Sequence, residues 1–244
     1  MAKHTVKNGQ WVGSIAARHG ISDWEKNVWK HSDNAELRKT RKSPNLLVTG
    51  DKIHIPEPGE KSEDGATEQR HKFRKKSFRD ILKIRLLSEE SKPLKNTPYT
   101  LDIEVDGPGD FVQEKKRTDG QGMLEEKIPR SAKTAQLRLT KQGVLINLKI
   151  GHLQPIDSNI DMNKNPDTIT MGVKQRLHNL QFEFEDDGQD LNEQSGLEEA
   201  IRYFQSYCEQ KRDEAGYDAG EVNGRITPKV RKALIKMHED NDDY

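Results

Sequence analysis

His4-Thr5-Val6-Lys7-Asn8-Gly9, then Ser14-Ile15-Ala16-Ala17-Arg18-His19-Gly20-Ile21, and finally Pro44-Asn45-Leu46-Leu47-Val48-Thr49-Gly50-Asp51-Lys52-Ile53-His54-Ile55-Pro56 decide the reading of the amino-terminal part. The β-branched pair Thr5-Val6 reads as a short strand and Asn8-Gly9 as a turn. Val12, Ile15, Ala16 and His19 then recur at helical spacing, and Gly20 closes that first helix. Trp24, Val28 and Trp29 follow at steps of four and five residues, which predicts a second helix that buries them. Lys52-Ile53-His54-Ile55 is the last strand, with Ile53 and Ile55 on one buried face and Pro56 as its stop. The order is strand, helix, helix, strand.

Composition bounds the rest. Of 244 residues 31% are hydrophobic and 34% charged, and the mean hydropathy is -1.00, so several small domains joined by polar linkers are expected rather than one large core. The single cysteine, Cys208, excludes an internal disulfide framework. No apolar run reaches the roughly 18 to 20 residues of a membrane span, so no membrane insertion is expected. The start lacks the apolar stretch of a signal peptide, which predicts synthesis in the cytoplasm. Net charge is zero, but basic and acidic residues number 10 and 7 over 1–60, 20 and 15 over 61–157, and 11 and 19 over 158–244, giving a basic front and an acidic tail. The densest basic run, Arg70 to Arg79, follows an acidic linker from Glu57 to Gln69 and leads into a strand. It reads as a solvated lead-in that discourages edge pairing, and no nucleic-acid partner is expected.

The middle of the chain alternates with period two. Leu82, Ile84 and Leu86 mark one strand within 81–87, and Tyr99, Leu101, Ile103 and Val105 a second. Leu137-Arg138-Leu139 and Val144 to Ile150 follow. Ser91-Lys92-Pro93, Asp106-Gly107-Pro108-Gly109 and Thr118-Asp119-Gly120-Gln121-Gly122 separate them as turns. The pattern predicts a small β-sandwich over 79–157. Asp110 and Asp119 are read as turn residues, because their loops lack the alternating oxygen ligands of a calcium site.

Beyond Asp157 the period changes to that of helices. Val173, Leu177 and Leu180 form one apolar stripe, Leu197, Ala200, Ile201, Phe204 and Cys208 a second, and Val230, Ala233, Leu234 and Met237 a third that Thr227-Pro228 opens. Three helices around one modest core are expected, with Cys208 packed inside it. The chain as a whole reads as multidomain α+β.

The amino-terminal phrases resemble the LysM domain, whose βααβ fold binds glycans containing N-acetylglucosamine, chiefly peptidoglycan. The resemblance assigns 1–57 to a LysM-like domain and 58–78 to a charged linker. It departs from the common pattern at Gly9-Gln10-Trp11, where most LysM domains carry Gly-Asp-Thr, and in a long basic stretch from Lys30 to Ser43. It implies a glycan groove with Gly9, Gln10, Trp11 and Val12 on one wall and Asn45, Leu46, Leu47 and Val48 on the other. Trp11 there is expected to stack on the apolar face of a pyranose ring. Pro93-Leu94, Pro98-Tyr99, the 118–122 turn and Ile128-Pro129 resemble immunoglobulin-like or prealbumin-like spacer domains, which sit beside spike and tail components of contractile injection systems. Gly172 to Phe182, Glu199 to Gln205 and Asn223-Gly224-Arg225-Ile226-Thr227 resemble the peptidoglycan-binding-like three-helix domain of cell-wall hydrolases, assigned to 158–244. Arg176, Asn179, Tyr203 and Gln205 are its candidate ligand contacts.

Eight histidines are scattered, and none is paired at the spacing of a helical zinc motif. His19 and His54 are expected to face solvent. No hydrolase elbow or phosphate loop is present, so no catalytic residue, metal ligand or cofactor is assigned. The expected function is non-catalytic binding of peptidoglycan or a chitin-like glycan by an accessory protein of a type VI secretion or similar contractile injection system, which would deliver it to the periplasm. The alternatives are an adaptor that docks on spike, tip, baseplate or effector proteins without glycan binding, and, less favoured, a toxin effector or cell-wall hydrolase.

Overall fold

The structure, a computed structural model, describes residues 2–57, 68, 70, 79–88, 92–105, 111–157, 160–182 and 194–239. The 106–109 turn, Asp110 and most of the basic run up to Phe78 lie outside the described residues. The chain mixes helices and sheets and divides into two compact units. The first holds Met1–Arg38 and Thr49–His152, the second Lys39–Val48 and Leu153–Tyr244.

In the first unit, β1 (Ala2–Thr5) pairs antiparallel with β2 (Lys52–Ile55), Ala2 opposite Ile55 and Thr5 opposite Lys52. Between them α1 (Val12–Arg18) buries Val12, Ile15 and Ala16. The Ser14 hydroxyl bonds the Trp11 backbone and closes its first turn. The predicted second helix is broken into a π-type turn at Glu25–Trp29, a 3-10 turn at Ser32–Asn34 and α2 (Ala35–Thr40). The break follows from Arg38, whose guanidinium donates to the carbonyls of Trp29 and His31, oxygens that a continuous helix would use internally. Val28 and Trp29 are nonetheless buried, as the spacing predicts, whereas Trp24, expected to be buried with them, is only half-buried.

The rest of this unit is two sheets. β3 (Arg79–Arg85) pairs with β6 (Met123–Pro129), and β5 (Phe111–Arg117), β4 (Pro98–Val105), β7 (Ala132–Leu139) and β8 (Val144–Lys149) form a four-stranded antiparallel sheet in that order. Leu86, Leu124 and Ile128 meet Tyr99, Leu101, Ile103, Leu137 and Leu139 in one core. β5 and β6 were not anticipated, since charged residues interrupt their apolar alternation. In β6, Glu126 is only 1% exposed. It is tolerated because Tyr99 Oη donates to its Oε1 at 2.7 Å and Lys116 Nζ to its Oε2 at 2.6 Å. Burial, and then the neighbouring carboxylate, hold the Tyr99 phenol well above its ordinary pKa. Asp119 is a turn residue as expected, accepting the N–H groups of Gln121 and Met123.

The second unit is helical: α3 (Pro166–Asn179), α4 (Gln194–Gln210), a single turn α5 (Arg212–Ala215) and α6 (Pro228–Glu239). Their predicted stripes meet in one core with Ile156, Ile160, Phe182, Tyr217 and Ala219. Val173, Leu177, Phe204, Val230 and Leu234 are completely buried. Thr227 Oγ1 accepts the Val230 N–H at 3.2 Å, the cap expected for α6. Cys208 is 1% exposed, and burial pushes its thiol up to about 12. Arg41, Leu46 and Leu47 are also buried.

Candidate functional site

The loop between β1 and α1 was expected to present Gly9, Gln10, Trp11 and Val12 to a ligand. Its side chains are instead committed to internal contacts. Gln10 Oε1 accepts the Lys7 N–H at 2.9 Å and lies 2.9 Å from His4 Nε2, which closes the turn. Val12 is fully buried. Gly9 has a φ of +76°, and a Cβ there would meet the His152 ring at 2.7 Å. Burial, and secondarily Lys149, hold the His152 imidazole below its ordinary pKa.

Trp11 is 6% exposed, and its indole N–H donates to Asp80 Oδ2 at 2.8 Å. The ring lies so close to Gly151 that a Cβ there would approach it to 2.5 Å. Asp80 Oδ1 in turn accepts from Arg130 Nε at 2.8 Å, and Arg130 donates to the Ser22 carbonyl at 3.0 Å. The expected stacking of Trp11 on a pyranose does not fit this position, because stacking needs an open ring face. In the second unit Leu46 and Leu47 are buried, Val48 is half-buried and Asn45 is exposed.

The four candidates of the helical unit separate into two kinds. Arg176 is completely buried and donates to the carbonyls of Gln154 (2.8 Å) and Gly172 (3.0 Å), tying the segment before α3 to that helix. Gln205 is also completely buried. Its Oε1 accepts the N–H groups of Asn223 and Gly224, both at 2.9 Å, and holds the turn that leads to α6. Asn179 and Tyr203 face solvent, Asn179 with Nδ2 2.9 Å from His238 Nε2. Burial, and secondarily Arg176, bring His238 down to about 4.

Tyr203 is the large exposed aromatic of this unit among the described residues. It is 47% exposed on α4, braced by the Phe182 ring at 5.7 Å. It lines a shallow groove with Ser195, Glu198, Glu199, Arg202 and Ser206. One ring face, two hydroxyls, two carboxylates and a guanidinium supply stacking and hydrogen bonding along a single helix.

A second cluster lies in the first unit and was missed in the sequence. Asn34 pins β2 to the turn before it: its amide donates to the carbonyls of Val28 and His54 and accepts the His54 N–H at 2.7 Å. The clamp sets His54 beside His31 and Asp33. The two imidazole centroids are 4.7 Å apart, and one donor atom from each of the three residues lies within 4.8 Å of the others. Contrary to expectation, His54 is 8% exposed. Only the local spacing His31-Ser32-Asp33 hinted at the cluster, because the third member comes from a strand 21 residues beyond Asp33. No protein-family model, no curated protein and no solved structure matches this chain.

Proposed function

We propose that the chain is a non-catalytic peptidoglycan-binding accessory protein of a contractile injection system, and that its glycan surface is the α4 groove around Tyr203. The strand, helix and turns, strand order of residues 2–55 and the three main helices of the carboxy-terminal half support the LysM-like and peptidoglycan-binding-like readings of these segments. The observation that carries the site is the half-exposed Tyr203 ring set among Arg202, Glu198 and two serines. A pyranose offers a C–H face to such a ring and hydroxyl and acetamido groups to its polar neighbours. The Gly9 to Val12 loop is not the primary surface in this reading, since its side chains serve the fold.

The test is retention of the full chain on purified peptidoglycan, competed by chitin oligomers. Tyr203→Ala should abolish retention while the circular dichroism spectrum and thermal midpoint stay unchanged. A native chain that washes through overturns the proposal. The docking alternative draws on the commitment of the β1–α1 loop to internal bonds. It predicts no retention and co-purification with a spike, tip or effector protein.

A further inference from the structure

We infer that His31, Asp33 and His54 form a binding site for a borderline-soft divalent transition-metal ion of the zinc class. This does not rest on the glycan proposal. The strongest observation is the state of His54. Its side chain is only 9% exposed, and its Nε2 has no hydrogen-bond partner. Buried ring nitrogens are normally satisfied, so this one, aimed at a carboxylate, is placed to take a further ligand. Nε2 lies 3.5 Å from Asp33 Oδ2, and His31 Nδ1 lies 4.0 Å from the same oxygen. Around zinc, with bonds of about 2.0 to 2.2 Å, neighbouring tetrahedral ligand atoms are about 3.3 to 3.6 Å apart. The His54 to Asp33 pair already has that separation, and His31 needs only a small side-chain rotation.

The ligand set is also held in place. Asn34 bonds both the N–H and the carbonyl of His54, while His31 and Asp33 flank Ser32 on the turn that carries Asn34. The Asp33 N–H donates to His31 Nδ1 at 3.2 Å, and binding a metal through that nitrogen exchanges this hydrogen bond for the metal bond. Two imidazoles and one carboxylate select zinc, nickel, cobalt or copper over magnesium or calcium, which prefer oxygen. Lys3 and Lys52 line the depression beside Asp33 and His54. Their positive charge disfavours a hard cation held by Coulomb attraction alone. It suits an anion or hydroxide in the fourth coordination position, which the three protein ligands leave open.

The experiment titrates the metal-free full chain with zinc chloride by calorimetry and with cobalt chloride by visible absorption. About one equivalent should bind, with the intense cobalt bands of a four-coordinate site. His31→Gln and Asp33→Asn alter side chains that solvent reaches, so their dichroism spectra should match the native chain. Each should weaken binding by at least about tenfold, the loss typical when metal-supporting groups are removed. His19→Gln, a histidine outside the cluster, should leave binding unchanged. Absence of saturable binding overturns the inference, as does native-like affinity in both cluster variants. Heat with inorganic phosphate but none with metal also overturns it, and assigns the depression to an anion.

Discussion

Replacing Trp11 tests whether that indole is structural. Trp11→Phe keeps most of the ring contact with Gly151 and removes only the 2.8 Å bond to Asp80. Asp80 stays partly hydrated and keeps Arg130, so the expected loss is that of one ordinary hydrogen bond, about 1 kcal/mol. Trp11→Ala also opens a cavity the size of the ring, for a total of about 3 to 5 kcal/mol. With a urea slope of about 2 to 3 kcal/mol per molar, the midpoint falls by roughly 0.4 M and 1.5 M respectively. Asp80→Ala should cost less in the Trp11→Phe background than in the native one, because the pair shares one bond. All three tryptophans, Trp11, Trp24 and Trp29, lie in the first unit, so intrinsic fluorescence follows that unit selectively. Cys208 lies in the other unit and reports on it through thiol trapping. An unchanged midpoint in Trp11→Ala, with the native indole open to iodide quenching, would refute the structural role.

Two further outcomes concern the helical unit. Gln205→Ala leaves one buried N–H group (Gly224) and one partly buried one (Asn223) without their acceptor, so it should destabilise this unit by about 2 kcal/mol. Faster trapping of Cys208, with tryptophan fluorescence unaltered, is the readout. His238 titrates near 6.5 when unfolded and near about 4 when folded. Between those values the unfolded chain holds the extra proton, so stability is lost as pH falls from about 6.5 to about 4, by at most about 3 kcal/mol. His238→Gln should flatten that dependence in denaturant melts, and a slope that persists would place its origin elsewhere.

Strand β2 has the bounds that its Ile53 and Ile55 pattern predicts, and the Tyr99, Leu101 and Ile103 alternation marks β4 correctly. The helical stripes were equally legible because each is apolar on one side only. β6 was not, since Glu126 looks like a surface residue until Tyr99 and Lys116 are placed around it. The broken second helix was hidden for a similar reason: nothing near Trp29 in sequence announces that Arg38 takes its carbonyl. Among the candidate site residues, Arg176, Gln205 and Trp11 have the right chemistry for a ligand and spend it on backbone or carboxylate partners distant in sequence. Residue type signals hydrogen-bonding capacity. Only the fold says whether that capacity is already used.

The Trp11 to Asp80 bond spans 69 positions and crosses from the residue that precedes α1 to β3. Expressing residues 1–57 alone would therefore strip a large aromatic surface of its cover and leave it wet, inviting aggregation in a piece whose pattern suggests self-sufficiency. A cut after His152 is no safer for crystallisation or pull-down work, because it parts Lys39–Val48 from Leu153–Tyr244, the segment with which it forms a compact unit.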